Sequence, residues 1–163
     1  MSMIGYFLLT ETDSLEALLK EPTTIYEFLE SSMEEGGGDF VDIDKGWHLL
    51  HYLLTGTAWE GETPLNFVVT GGKDIGEEDV GYGPARAFTD NEVRAIADAL
   101  DRIDREQLLK RFNGQEMNEL EIYPPIDWKE VELSEALLGE FDTVKELVDR
   151  GRTLGKGMIV WCA

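Results

Sequence analysis

Asp44, His48 and His51 follow the spacing i, i+4, i+7, so a helix through them puts one carboxylate and both imidazoles of the chain on one face. Two imidazoles and a carboxylate are a donor set that suits zinc or non-haem iron. The spacing argues against a metal here. The histidines are three residues apart rather than the four of a zinc-protease helix, and no glutamate base lies between them. The competing reading is that one histidine packs or bonds a backbone carbonyl while the other is half exposed. No metal and no cofactor is expected.

A second set of residues could grip an anion. Gly71-Gly72 and Gly81-Tyr82-Gly83-Pro84-Ala85-Arg86 combine backbone that can approach a ligand closely with a guanidinium that can hold a phosphate or carboxylate by two bonds. The pattern is neither a Walker loop nor a dinucleotide fingerprint. Its plain alternative is a turn ending at Pro84, with Arg86 paired to one of the many acids. The third set is Glu119-Leu120-Glu121-Ile122-Tyr123-Pro124-Pro125. The residue before a proline is pushed out of helix, so Tyr123 is fixed in extended backbone, where it can bond a ligand or cover a cleft. Equally, Tyr123 and Trp128 can simply fill the edge of a core. With two histidines, one cysteine and no G-x-S-x-G, a Ser-His-Asp arrangement has no positive support.

The elements that must position these residues are legible in outline. Met3 to Leu9 is a nearly continuous apolar run, as a strand buried on both faces requires. Asp13 or Ser14 can cap a short helix with Leu15, Leu18 and Leu19 inward, and Pro22 starts another through Ile25, Phe28 and Leu29. Gly36-Gly37-Gly38 stops it. A central helix runs from about Asp44 to Leu54 and ends at Gly56. Residues 57 to 84 read as a long glycine-rich loop around the apolar patch Leu65 to Val69, made acidic by Glu77-Glu78-Asp79. Loops of that length inside a compact domain are usually functional or disordered.

Ala85 to Phe88 suits a strand, and Thr89 with Glu92 forms a capping box ahead of Val93, Ile96, Ala97 and Leu100. A further helix from Asp104 carries Leu108, Leu109 and Phe112 on one face. The last helix, about Ser134 to Arg150, keeps a 3.6-residue apolar period through Leu137, Leu138, Phe141, Val144, Leu147 and Val148. Met158 to Cys162 then reads as a buried final strand. The expected architecture is one α/β layered domain, residues 1–163, with helices packed around a small mixed central sheet and the N- and C-terminal strands inside it.

Composition narrows the function classes. A chain of 163 residues buries roughly 70% of the surface it exposes when unfolded, so no metal or disulfide staple is needed. Fourteen basic residues against thirty-four acidic ones give a net charge of −20, which repels nucleic acid and anionic membranes. The same charge invites a basic protein partner, although a merely solvated surface explains it as well. The single cysteine, Cys162, precludes an internal disulfide and fits a reducing compartment. No apolar run approaches a membrane span and no secretory pattern opens the chain, so a cytoplasmic location is expected.

Three segments together resemble the bacterial YfbM-like family, a domain of uncharacterised function. The resemblance starts at Met1-Ser2-Met3-Ile4-Gly5-Tyr6 and continues through Asp42-Ile43-Asp44-Lys45, Trp47, Leu50-His51 and Leu54-Thr55-Gly56. It runs on through Phe112 and Met117-Asn118 to Glu121-Ile122-Tyr123-Pro124, and so spans nearly the whole chain. His51 belongs to the pattern and His48 does not. What the resemblance implies is a single layered α/β domain of bacterial cytoplasm, with no established activity, catalytic residues or cofactor. The expectation is a non-catalytic binding module with an acidic surface for a protein partner and a cleft lined by Asp44, Trp47, His51, Tyr82, Arg86 and Tyr123. The alternative is an enzyme or sensor for a small anionic, nucleotide-like ligand, using Arg86 and His51.

Overall fold

The computed structural model describes residues 2–132 and 135–163. Its centre is a five-stranded sheet of β1 (Gly5–Thr10), β2 (Phe40–Asp42), β3 (Lys73–Asp74), β4 (Arg86–Phe88) and β5 (Gly157–Cys162), in the order β2-β1-β5-β4-β3. The two terminal strands lie inside, as their unbroken apolar runs require. They pair along six positions, from Gly5 opposite Cys162 to Thr10 opposite Gly157. Every pairing is antiparallel, where a mixed sheet was expected. The helices α1 (Thr12–Lys20) and α2 (Ile25–Glu35) carry the chain out and back to the end of the sheet where β1 stopped, so β2 enters reversed.

The alternation of side chains along the central strands divides the core into two layers. Leu8, Ile159 and Trp161 face α1 and α2. Phe7, Leu9, Met158 and Val160 face the larger cluster. That cluster is built on α3 (Trp47–Thr55), α4 (Asp90–Asp101), α5 (Arg105–Arg111), α6 (Gly114–Glu119) and α7 (Glu135–Leu154). The Thr89–Glu92 capping box forms with both of its bonds. On α5 only Leu108 of the expected apolar face is buried, and Leu109 is exposed, because the helix is a short edge element. Ser134, the expected start of α7, and the side chain of Leu137 lie outside the described residues. Among the described residues no helix is long and apolar enough to cross a membrane.

The entry to α3 decides where its first turn sits. Ile43 donates its N–H to the Gly5 carbonyl (3.0 Å), which ties the segment to β1. Asp44 then takes a left-handed conformation (φ 47°), a turn that Asp tolerates better than most residues, and its N–H donates to Asp42 Oδ1 (3.2 Å). Trp47 lies directly on β1. A Cβ at Gly5 would stand 2.8 Å from the Trp47 Cβ, so only glycine permits this approach. At the far end Gly56 closes α3 in the left-handed region.

Residues 57–84 are an ordered plug rather than a free loop. Phe67 and Ile75 are fully buried, and Val68 is nearly so. Ile75 donates to the Ala85 carbonyl (2.8 Å), and β3 pairs with β4.

Candidate functional site

At the end of the sheet where β5 stops, a cavity of about 210 Å³ opens between the first turn of α3, the 57–84 segment and the termini of the chain. Trp47, Trp59 and Tyr82 supply aromatic walls, Arg86 supplies the one cation, and Met3, Val68, Val69, Pro84, Trp161 and Cys162 complete the lining. Trp59 and Tyr82 stand at the mouth, 57% and 50% exposed.

The Trp47 wall is braced from behind. Its indole Nε1–H donates to the Met3 carbonyl (3.0 Å), and its ring stacks on Tyr123 at 5.5 Å and on His48 at 4.9 Å. The Tyr123 hydroxyl accepts from the Met3 N–H (3.0 Å), which pins the N-terminal segment across the site. His48 is fully committed. The Tyr123 N–H donates to Nδ1 (2.8 Å), so the ring proton sits on Nε2 and donates to the Ala58 carbonyl (2.8 Å). Burial pushes its pKa below the usual imidazole value. Trp59 packs on the same ring, 4.3 Å away.

Arg86 holds the opposite wall. Nη1 donates to the carbonyls of Thr70 and Gly71 (3.2 Å to Gly71), and Nη2 donates to the Val68 carbonyl (2.8 Å). The guanidinium also lies 5.5 Å from the centre of the Phe88 ring. Pairing with an acid was the alternative raised from sequence. The partners are instead backbone carbonyls, and no carboxylate among the described residues lies within ion-pair distance of it. Burial pulls its pKa down to about 10, while Asp74, opposite it on β3, acts from longer range to raise it.

His51 sits behind this wall. It is fully buried, does not line the cavity, and neither ring nitrogen completes a hydrogen bond. Burial drives its pKa to about 4. The Glu60 backbone opposes that shift, and the charges of His48 and Arg86 reinforce it. It is neutral at pH 7. Cys162, on the lining, is held as a thiol, its pKa raised by burial to about 11.

Asp44 lies elsewhere. It is exposed at the start of α3, where its charge adds to burial in raising the Glu140 carboxyl to about pKa 7. Glu140 rests against Gly46, where any Cβ would collide with its Oε2. Asp44, His48 and His51 therefore share no face. Asp44 precedes the helix in a left-handed turn, and His48 has no free nitrogen for a metal. Among the described residues no group of three potential ligands comes together.

A family model described as a domain of unknown function, DUF1877, matches residues 1–161. The chain belongs to that family. Protein YfbM of Escherichia coli (strain K12) is 33% identical over 134 residues, covering 80% of this chain and 78% of YfbM. The crystal structure of YfbM from E. coli, a protein of unknown function, matches with a TM-score of 0.72 at 27% identity, over 98% of this chain and 99% of that one. The resemblance read from the sequence motifs is thus borne out. The DUF1877 family is one of unknown function, and what the likeness to YfbM brings is a shared fold.

Of the six expected site residues, Trp47, Tyr82 and Arg86 line one cavity, and Tyr123 buttresses it from behind Trp47. His51 is buried and does not line it, and Asp44 is exposed ahead of α3, outside the lining. Sequence reasoning missed Trp59, and did not join Trp161 and Cys162 to the site. Trp59 had a legible signal, since it is a lone large aromatic in the polar run Gly56-Thr57-Ala58-Trp59-Glu60-Gly61 with no apolar period to bury it.

Proposed function

We propose that this domain is a non-catalytic binding module, and that the cavity beside Trp47 takes a small anionic ligand on Arg86. The observation that carries this reading is a guanidinium without a carboxylate partner at the wall of an aromatic cavity. Buried charges are normally paired, so an unpaired one facing a concavity favours a ligand of opposite sign. Against catalysis stands the lining itself. Its titratable groups are Tyr82, Arg86 and Cys162, with no carboxylate or imidazole to move a proton near neutral pH. His51 does not reach the cavity, so the enzyme form of this reading loses its acid-base group.

The four indole N–H resonances test it. Small anions, from acetate and phosphate to aromatic acids, should shift Trp47 and Trp59. Trp128, whose indole donates to the Ile122 carbonyl inside the core, should stay still. Shifts confined to Trp128, or none at any concentration, would sink the reading.

A second reading, a basic protein partner, has one specific support. The exposed Trp59 also borders a groove of about 570 Å³ that carries Glu60, Glu116 and Glu119. Capture of a basic partner through this face should weaken steeply with salt and with Trp59→Ala. Binding equal at low and high salt would remove it.

A further inference from the structure

Resting on that reading of the cavity, we infer the class of its ligand: a single-ring aromatic carboxylate, its ring against Trp47 and Trp59 and its carboxylate on Arg86. Three independent features narrow the choice. The first is the free edge of the guanidinium. Arginine has five N–H groups. Both hydrogens on Nη1 and one on Nη2 go to the Val68, Thr70 and Gly71 carbonyls. The N–H on Nε and the second on Nη2 are left without a protein acceptor among the described residues. Two donors on adjacent nitrogens match the two oxygens of one carboxylate.

The second feature is size. A cavity of roughly 150 Å³ is enough to bind benzene. The space here is about 210 Å³, which adds room for one small substituent, so a sugar and a phosphate would stand outside the mouth. Trp59, exposed at the mouth, offers a flat face to such a ring, and Trp47, 6.1 Å from it and tilted by 43°, borders the same space.

The third is the mouth. Glu60 follows Trp59 in the chain, and Asp79 Oδ1 accepts from the Gly81 and Gly83 N–H groups that flank Tyr82 (2.8 and 2.9 Å). Asp79 thus stands beside Tyr82, and Glu60 borders the groove that adjoins Trp59, on a molecule of net charge −20. A polyanion protruding from the cavity meets repulsion there, whereas one buried monoanion does not. The nucleotide-like ligand considered from the sequence fits this mouth poorly.

The test is a titration of the wild-type protein with benzoate, benzyl alcohol, acetate and adenosine monophosphate, read on the same indole resonances. Benzoate should shift Trp47 and Trp59 saturably, at least tenfold more tightly than any of the other three. In Trp59→Ala, its folded state checked by an unchanged Trp128 indole resonance, benzoate affinity should fall about tenfold. Acetate or adenosine monophosphate binding as tightly as benzoate overturns the aromatic-carboxylate class and leaves the anion site standing. Unchanged benzoate affinity in Trp59→Ala also overturns the class alone. Benzyl alcohol binding as tightly as benzoate, or no response to any probe, overturns both the class and the anion reading.

Discussion

His48 and His51 lie one turn apart on the same helix, are equally buried, and are used in opposite ways. His48 joins three segments, with Tyr123 N–H on one nitrogen, the Ala58 carbonyl on the other, and Trp47 and Trp59 against its ring. His51 is fully buried with both nitrogens unpartnered, near the Glu60 backbone and the charge of Arg86. The same contrast separates two partly buried ionisable groups, Arg86 at the cavity and Glu140 at the entry to α3. Arg86 is bound to three carbonyls of the 57–84 segment, whereas Glu140 keeps a buried oxygen with no partner. A buried polar group that is satisfied organises the chain around it, and one that is not lowers stability until its charge state or its identity changes. His48 and Arg86 together clamp residues 57–84 into the wall of the cavity.

Removing a clamp should therefore cost most. His48→Leu strands the Ala58 carbonyl and the Tyr123 N–H in the interior. At roughly 1–3 kcal/mol per stranded group, the loss should be about 3–5 kcal/mol, read as a lowered midpoint in chemical denaturation. A change under about 1 kcal/mol would mean that His48 is no clamp and that the two histidines are equivalent. Arg86→Met comes next, at about 2–4 kcal/mol, because three carbonyls lose a charged donor while the stem packing is partly kept. Its signature should be local. Amide exchange should accelerate in residues 66–75 before it does in β1 or β5. Uniform acceleration across the sheet would show that Arg86 supports the whole fold rather than the plug.

What was legible from sequence follows from the same distinction. β1, β5, α4 and α7 were readable because long apolar runs, a capping box and a 3.6-residue period are local signals. The short β2, the two-residue β3 and α6 carry no such pattern and exist because neighbours hold them. At the site, Trp47, Tyr82 and Arg86 could be singled out as costly residue types in unusual settings. The hydrogen bonds of His48 to Ala58 and Tyr123 span 10 and 75 positions, and Arg86 reaches back 15 to 18. No spacing rule encodes such contacts. Spacing therefore grouped His48 with His51, and the fold divides them. Asp44 was placed on the helix face for the same reason, and its left-handed turn takes it off that face.

The two unpartnered groups, His51 and Glu140, give the smallest effect and the finest test. His51 has its pKa lowered by burial from 6.5 to about 4, so the stability tied to its neutral form is present above pH 6.5 and is lost as pH falls through about 4. Glu140 has its pKa raised by burial from 4.5 to about 7. The stability tied to its protonated form is complete below pH 4.5 and is lost as pH rises through about 7. Each spans up to roughly 3 kcal/mol, and between pH 4.5 and 6.5 the two slopes oppose and nearly cancel. Replacing either group should expose the other. His51→Leu, measured against wild type, should gain stability progressively as pH is lowered from 6.5 to 4, with a change of less than about 1 kcal/mol at pH 7. Glu140→Gln should gain as pH is raised from 4.5 to 7.5, since an amide in that pocket carries no charge to be desolvated. Difference curves of opposite sign would show two independent buried sites, one basic and one acidic, each neutral in the folded protein at its own end of the range. Flat curves for both would mean that water or a shift of the α3 entry already solvates them, and the contrast between His48 and His51 would then reduce to one of packing alone.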